Sequence, residues 1–518
     1  MGVTLWLLTV GLCLSALILP GFDGLNTVAP GRRNVLVIIG DDAGFQMGLY
    51  NNSVCKTPNF DKLAQRSVVF DRAFTTVSSC SPSRSTLMSG LPQHQNGMYG
   101  LHHDPHHFNS FDGVRSLPVI LGEHGIRTGI VGKKHVGPDT VYKYDYEETE
   151  ENNSLDQVGR NITYMMEKIR PFLESDDTRP FFLYVGFFDP HRDAFESKHG
   201  PFANKFGNGE PGMGVIPDWK PVHYDPDDVI VPYFIPDTPA ARADIAAQYT
   251  TMSRIDQGIG LIMAELEKIG HMDDTLIIYT ADNGIPWPNA KTNLYKPGMS
   301  EPMMVSSPLH KESWGQRTES HASLLDVVPT VLDWFNVSFP EYKIRAGLPT
   351  VTLTGTSLLP VTSSPSQMHS DTAFGSHDFH EITMYYPMRV IKSGKYRLLQ
   401  NLNYKMPFPA ASDLFGSPTW MDTMNRTAHG LPTNWFKTLD QYYYRDEWEL
   451  YDLEQDPMEL TNLAYMPGYA QVLQSLQKRL MEWREVTQDT WRCFPSGVLE
   501  TDNRCYDQHN NVNMYSKP

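Results

Sequence analysis

Four apolar runs constrain the fold of this chain more than any other feature: Asn34–Gly40 (NVLVIIG), residues 127–131 (RTGIV), residues 181–188 (FFLYVGFF) and residues 275–280 (TLIIYT). None alternates polar with apolar. A strand without alternation is covered on both faces, which is the pattern of a parallel sheet with helices on each side. Each run also stops at polar residues. These are Asp41-Asp42, Gly132-Lys133-Lys134-His135, Asp189-Pro190-His191-Arg192 and, after Ala281, Asp282-Asn283. Ligands bind at the carboxyl edge of an open parallel sheet. Polar residues mark the end of many single strands, but four strands carrying Asp, Asn, Lys and His to one edge point to a site there.

Helical patterns separate these strands. Residues 59–65 form a short one. Residues 240–269 form the longest, with Ile245, Tyr249, Met252, Ile255, Ile259, Met263 and Leu266 on one stripe; core packing accounts for it. Residues 196–240, rich in Gly, Pro, Asp and aromatics, read as a long surface excursion. A Ser/Pro-rich stretch near 360–367 suggests a boundary. Strand-like runs at 381–386 and 396–399 and a helix near 469–485 lie beyond it, and residues 448–464 look like a strand, an Asp-Pro turn and a helix entry. The expected organisation is an α/β chain: a leader over residues 1–22, a catalytic domain over 23–365 with a large mixed, mostly parallel sheet, and a smaller α+β domain over 366–518 with an antiparallel sheet.

The first residues carry no charged side chain, and the apolar run 5–19 is short for a membrane span and suits a signal peptide. A signal anchor is the alternative; otherwise no stable membrane anchor is expected. Five Asn-x-Ser/Thr sequons, at Asn51, Asn152, Asn161, Asn336 and Asn425, fit a secretory glycoprotein. Beyond the leader the chain has four cysteines, and Cys493 and Cys505, close together in a polar tail, are expected to form a disulfide. The net charge of −17 excludes a general nucleic-acid binder, which needs clustered Lys and Arg. The 18 histidines would about offset that charge in an acidic lumen.

Cys80 lies in Ser79-Cys80-Ser81-Pro82-Ser83-Arg84, followed by Met88-Ser89-Gly90. Pro82 suits the first turn of a helix, so Cys80 falls at an N-terminus, where free N–H groups favour an anion. Arg84, one turn on, could fork onto an oxyanion. A lone cysteine is more often an inert buried thiol. Asp41, Asp42, Asp282 and Asn283 supply hard oxygen donors from two strand ends, suited to calcium or magnesium rather than zinc. Lys133 and His135, two residues apart in an extended segment, share one side, while Lys134 points away. His102, His103, His106 and His107 are dense enough to bind a metal, but lining the pocket or forming a structural network accounts for them more simply.

The string Cys-x-Pro-Ser-Arg with Met-Ser-Gly after it resembles the signature of the type I sulfatases. That resemblance implies an alkaline-phosphatase-like fold. It also implies that Cys80 is oxidised to formylglycine by a formylglycine-generating enzyme. The hydrated aldehyde attacks sulfur with one hydroxyl and expels sulfate with the other. One calcium ion is implied at Asp41, Asp42, Cys80, Asp282 and Asn283. The catalytic set becomes Cys80, Arg84, Lys133, His135 and His191, with His191 as general acid. Lys291 matches a second basic sulfate ligand. His94, His380 and Glu381 are candidate substrate contacts. The wider strings SSCSPSRSTLMSGLPQHQNGMYGLH, GKKHVGPDTVY and ADNGIPWP are similar to the sulfamidase branch of the family. This implies removal of N-linked sulfate from terminal glucosamine at heparan sulfate non-reducing ends, in the lysosome, by a homodimer. An ester sulfatase, a phosphatase of the same superfamily and a non-catalytic glycan-binding protein are the alternatives.

Overall fold

The computed structural model describes residues 33–194, 196–500 and 504–507. The expected leader lies outside them. Among the described residues, no helix is long and apolar enough to cross a membrane. The main sheet comprises β1 (Asn34–Gly40), β2 (Val68–Phe74), β3 (Arg127–Gly132), β4 (Tyr146–Thr149), β5 (Phe181–Gly186), β6 (Thr275–Ala281), β7 (Ser300–Ser306), β8 (Arg317–Thr318) and β9 (Ala322–Ser323). Their order is β4-β3-β5-β1-β6-β7-β2-β8, with β9 also on β2. β4, β3, β5, β1 and β6 run parallel. β7 is antiparallel to both β6 and β2, so β2 points the same way as β1. All four apolar runs are strands of this sheet, and all their polar ends emerge on one edge. β2 delivers its own carboxyl end, and the segment leading to Cys80, to that edge.

Burial on both faces explains the missing alternation. Leu36 and Ile38 of β1 pack in one core with Phe60, Ile162, Ile169, Ile245 and Ile259. Val35, Val37 and Ile39 pack in the other with Leu87, Leu117, Ile120 and Val328. Each such side chain contributes about 1.5–3 kcal/mol through burial. Register sets the height of the site. Gly40 pairs with Ala281, so the next residues, Asp41 and Asp282, leave neighbouring strands side by side. Gly132 pairs with Gly186; it has φ +100°, and a Cβ there would sit 2.0 Å from the Gly186 carbonyl oxygen. Only glycine lets the chain turn there into Lys133.

The helix predicted at 240–269 spans Pro239–Lys268, capped by the Thr238 side chain. The preceding excursion is not merely superficial, since Phe202, Ile216, Trp219 and Ile235 are buried in the first core. A second, antiparallel sheet has the order β10-β11-β12-β13, from β10 (Thr372–His377), β11 (Met388–Ser393), β12 (Tyr396–Asn401) and β13 (Trp448–Asp452). The helix Ala470–Val486 covers one face through Leu476, Leu480 and Trp483. The other face packs Met388, Val390 and Leu399 against Phe74, Leu294 and Met299. The backbone N–H of Ser376 donates to the Thr76 carbonyl, which fastens this sheet beside the approach to Cys80. The run 381–386 is a connection between β10 and β11 and not a strand. Met384 and Tyr386 are buried and Tyr385 exposed, but Ile382, on the same side as the buried pair, is exposed, and among the described residues no strand pairs with its backbone. Cys493 and Cys505 form the expected disulfide.

Candidate active site

Cys80 is the first residue of the helix Cys80–Ser89, and all ten residues of that helix are buried. The sequence permits this because it is built from small polar residues whose hydroxyls find internal partners. Ser83 donates to the Asp282 carbonyl, Ser85 to the Pro82 carbonyl and Ser89 to the Ser85 carbonyl. Gly90, at φ +70°, ends the helix. Burial holds the Cys80 thiol well above its ordinary pKa, against the pull of Lys133 and Lys291. An unmodified thiol here is therefore protonated and a poor nucleophile.

Asp41, Asp42, Asp282 and Asn283 are fully buried. The Asp42 backbone N–H and the Asn283 backbone N–H both donate to Asp282 Oδ1, at 3.0 and 2.9 Å. Asn283 Nδ2 donates to Asp42 Oδ1. Burial, with Asp41 and Asp282 nearby, pushes Asp42 up to about 7 despite Lys291. Burial and Asp41 push Asp282 to about 6. Asp41 is held well below the carboxylate range, because Lys133, His191 and Arg84 outweigh its burial. Asp41 Oδ1 and Asn283 Oδ1 are buried without hydrogen-bond partners. Asp41, Asp42, Cys80 and His191 each bring a donor atom within 4.8 Å of the others. Crowded carboxylates and orphaned oxygens fit a hard divalent cation. His191 stands in that gathering, while Asp282 has one oxygen held by two N–H groups and the other by Arg84.

Arg84 faces these carboxylates. Its Nε donates to Asp282 Oδ2 at 2.9 Å, and its Nη1 to the Lys133 carbonyl and Tyr184 hydroxyl. The structure thus gives Arg84 to the carboxylate cluster rather than to an open oxyanion position. Lys133 pairs with Asp41. Lys291 Nζ lies 2.9 Å from Asp42 Oδ2 and 2.9 Å from Asp413 Oδ2. Lys134 turns away, as its neighbours' spacing implies, and meets Asp139, Glu147 and Glu151.

Cys80, Lys133, His135, His191, Lys291, His380 and Glu381 line one cavity of about 280 Å³, with His103, His106, Glu150 and Asp413. Asp189 places His191 at its rim, clamped between Arg160 and Arg254. His191 Nδ1 meets the Arg192 carbonyl at 2.6 Å and its Nε2 meets Lys291 Nζ at 3.1 Å. Burial and then Lys291 depress its pKa well below the ordinary value. His135 stacks on His103, centroids 4.7 Å apart, and its Nδ1 is buried without a partner. Glu150 accepts from the backbone N–H groups of Lys134 and His135 and fixes their turn. His380 bonds Ser79 Oγ at 2.8 Å, and Glu381 accepts from the Ser412 N–H.

His94 is not brought to the cavity. Its two nitrogens bond Ser376 Oγ and Thr487 Oγ1, each at 2.8 Å, so it bridges the nucleophile region to the second sheet. His377 is likewise buried away from the lining. Sequence reasoning missed Asp413 and Glu150. Asp413 opens a short helix in Ser-Asp-Leu-Phe, and Glu150 is one acid in Glu-Glu-Thr-Glu-Glu; neither string separates a buried ligand from a surface charge.

A family model for sulfatases matches residues 33–337, and a second, for the C-terminal part of N-sulphoglucosamine sulphohydrolase, matches residues 414–486. The chain belongs to the sulfatase family. It is 56% identical to human N-sulphoglucosamine sulphohydrolase over 483 residues, 93% of this chain and 96% of that protein. Among solved structures it resembles a protein bound to its substrate D-glucosamine-2-N,6-O-disulfate (TM-score 0.60, 18% identity, 89% of this chain and 99% of that one). It also resembles the phosphonate monoester hydrolase of Agrobacterium radiobacter (TM-score 0.57, 20% identity, 92% and 100%). Those two likenesses confirm the alkaline-phosphatase-like fold.

Proposed function

We propose that this chain is a sulfamidase that hydrolyses the N–S bond of terminal N-sulfoglucosamine at the non-reducing end of heparan sulfate. The observation that carries this reading is the 56% identity to the human N-sulphoglucosamine sulphohydrolase. It spans the sheet edge and also residues 380–413, which wall the cavity opposite it. In the net reaction the N–S bond breaks, water supplies the fourth sulfate oxygen, and the sugar leaves as an ammonium ion. Asp41, Asp42, Asp282, Asn283 and the Cys80 position would hold calcium, with Arg84 fixing the Asp282 carboxylate. Bound calcium would offset sulfate charge. Formylglycine at Cys80 would supply the nucleophilic hydroxyl that the buried thiol lacks.

The chain's own groups supply the rest. Lys133 and Lys291 carry positive charge into the cavity beside Cys80, where sulfate oxygens must sit. The Arg192 carbonyl fixes the His191 tautomer, so Nε2 is the atom that can pass a proton to the leaving nitrogen. Lys291 donates toward that nitrogen. Burial and then Lys291 depress the His191 pKa, so the acid role needs a bound sulfate to offset the Lys291 charge before Nε2 can hold the proton it passes on. His380, Glu381 and Asp413 stand where the sugar ring would lie. The proposal extends to a secretory chain with a signal peptide over residues 1–22, a catalytic domain over 23–365 and a second domain over 366–518, matured by a formylglycine-generating enzyme and working as a homodimer in the lysosome.

Purified protein assayed on an N-sulfated glucosamide and on an O-sulfated analogue tests the reading; turnover of the ester alone overturns it. Mass spectrometry of the Cys80 peptide tests the modification, since conversion of thiol to aldehyde lowers its mass by about 18 Da.

A further inference from the structure

A second concentration of positive charge lies where the β2 edge meets the antiparallel sheet. Arg72, Lys296, Lys392, Lys395 and Arg397 line a cavity of about 210 Å³ that shares no lining residue with the catalytic one. Some of this charge is answered. Arg72 meets Glu319 at 3.3 Å, Lys395 meets Asp452 at 2.7 Å, and Arg397 Nε meets Glu459 at 2.9 Å. Of the two acids in the lining, Asp71 is held by Arg317, which leaves Glu454.

Among the described residues Lys392 makes no carboxylate ion pair, and Asp371 acts on it only at longer range. Its buried ammonium meets His321 Nε2 at 2.8 Å and the Gly394 carbonyl at 2.7 Å. Burial, then Arg72 and Arg397, push it down to about 7. Arg397 is fully buried, and its Nη2 has no hydrogen-bond partner. A guanidinium N–H left unpaired beside an uncompensated ammonium is costly unless something accepts from it. A tetrahedral oxyanion has the charge, the acceptors and the size to do so.

We propose that this cavity is a second oxyanion site, taking sulfate or phosphate chemistry on Lys392 and Arg397 with Arg72 and Lys296 at its mouth. The group could be a free anion or a sulfate carried on a glycan chain.

Inorganic sulfate titrated into the full-length protein at constant ionic strength should raise its melting temperature through this site. Lys392→Met should raise the dissociation constant of that effect at least tenfold. It should also leave turnover of a monosaccharide N-sulfate unchanged. Arg72→Gln, at the exposed mouth, should weaken sulfate several-fold and serves if the buried variant misfolds. Selenate soaked into crystals should give anomalous density between Lys392 and Arg397. The source follows from KM on a heparan-derived oligosaccharide: a rise in the variants on the oligosaccharide alone assigns the site to a chain-borne sulfate, and an unchanged KM assigns it to the free anion. An undiminished sulfate response in both variants, with no selenate at Arg397, overturns the proposal. These readouts do not depend on which sulfate linkage the enzyme cleaves.

Discussion

The sheet edge and the wall facing it, formed by His380, Glu381 and Asp413, hold their polar groups under different rules. At the edge, Asp41, Asp42, Asp282 and Lys133 are buried charges that leave strands locked by register on both sides, and Lys291 joins them from the loop after β6. They oppose one another at ion-pair distance, as Lys291 and Asp42 do at 2.9 Å, and the crowded carboxylates suit a hard cation. The facing wall is made of connections. His380 is neutral, with burial pushing it down to about 3, and Glu381 is spent on a backbone N–H. Only Asp413 brings charge across, to Lys291. The edge is thus built to handle sulfate and its charge, and the facing wall to read a neutral ring. Variants at the edge should destroy chemistry, and variants opposite should tune affinity.

The largest effect is expected at Cys80. Cys80→Ser keeps the size and the helix start but cannot become an aldehyde. Turnover should fall on the order of 10⁴-fold or more, with circular dichroism and melting temperature close to wild type. Turnover within tenfold of wild type would show that the edge works through an ordinary nucleophile.

Metal removal comes next. Verified chelation should lower kcat by on the order of 10² to 10³-fold, matching the loss of several kcal/mol of charge stabilisation. It should also change how stability depends on pH. Asp42 lies at about 7 folded and near the ordinary carboxylate value unfolded. Between those values the folded state holds the extra proton. The metal-free protein should therefore lose stability, on the order of a few kcal/mol, as pH rises from about 4 to about 7. Asp42→Asn should flatten that slope, and calcium should reverse it. A metal-free profile identical in wild type and variant would refute the crowding argument.

Asp413→Asn sharpens the comparison from the other wall. Removing a charged partner of Lys291 should reduce kcat/KM by about 10 to 100-fold, from the 1.5–3 kcal/mol of a hydrogen bond to a charged group. The pH profile should shift with it, because Lys291 touches His191. A loss confined to KM, with no movement of the profile, would make Asp413 a sugar contact only.

The same division decides what could be read from the sequence. Asp41-Asp42 and Asp282-Asn283 were legible because each ends an apolar run, and the continuous burial of β1 and β6 is written in NVLVIIG and TLIIYT. The Cys80 motif was legible as a string. Of the facing wall, His380 and Glu381 were named as candidates and do line the cavity, but Asp413 was missed, since it reaches the cavity through a connection whose path depends on how the second sheet docks. The strand-like run 381–386 proved to be a connection, because its composition suits a strand but no neighbouring strand pairs with it. Arg84 was placed near the site, but its partner could not be known: a guanidinium one turn after Cys80 serves an anion or a carboxylate equally well, and only the Gly40–Ala281 register brings Asp282 within its reach.

His94 gives the smallest catalytic effect and the cleanest separation of stability from chemistry. It lies one turn beyond the nucleophile helix, yet both nitrogens are occupied by Ser376 and Thr487, and Trp483 packs edge-on at 5.1 Å. Burial lowers its pKa to about 3, so the folded state holds it neutral where the unfolded chain would protonate. Its contribution is present in full above the unfolded value of about 6.5 and is lost as pH falls toward 3. His94→Ala should leave kcat/KM per folded molecule unchanged. It should destabilise the protein at about pH 7.5 by roughly 1–3 kcal/mol, from two hydroxyls left without their partner. At about pH 5 the gap should narrow, because the wild type then bears the cost of keeping an imidazole neutral and the variant does not. A gap that widens on acidification would mean His94 is charged in the folded state, and that the bridge between the nucleophile helix and the second sheet is an ionic one.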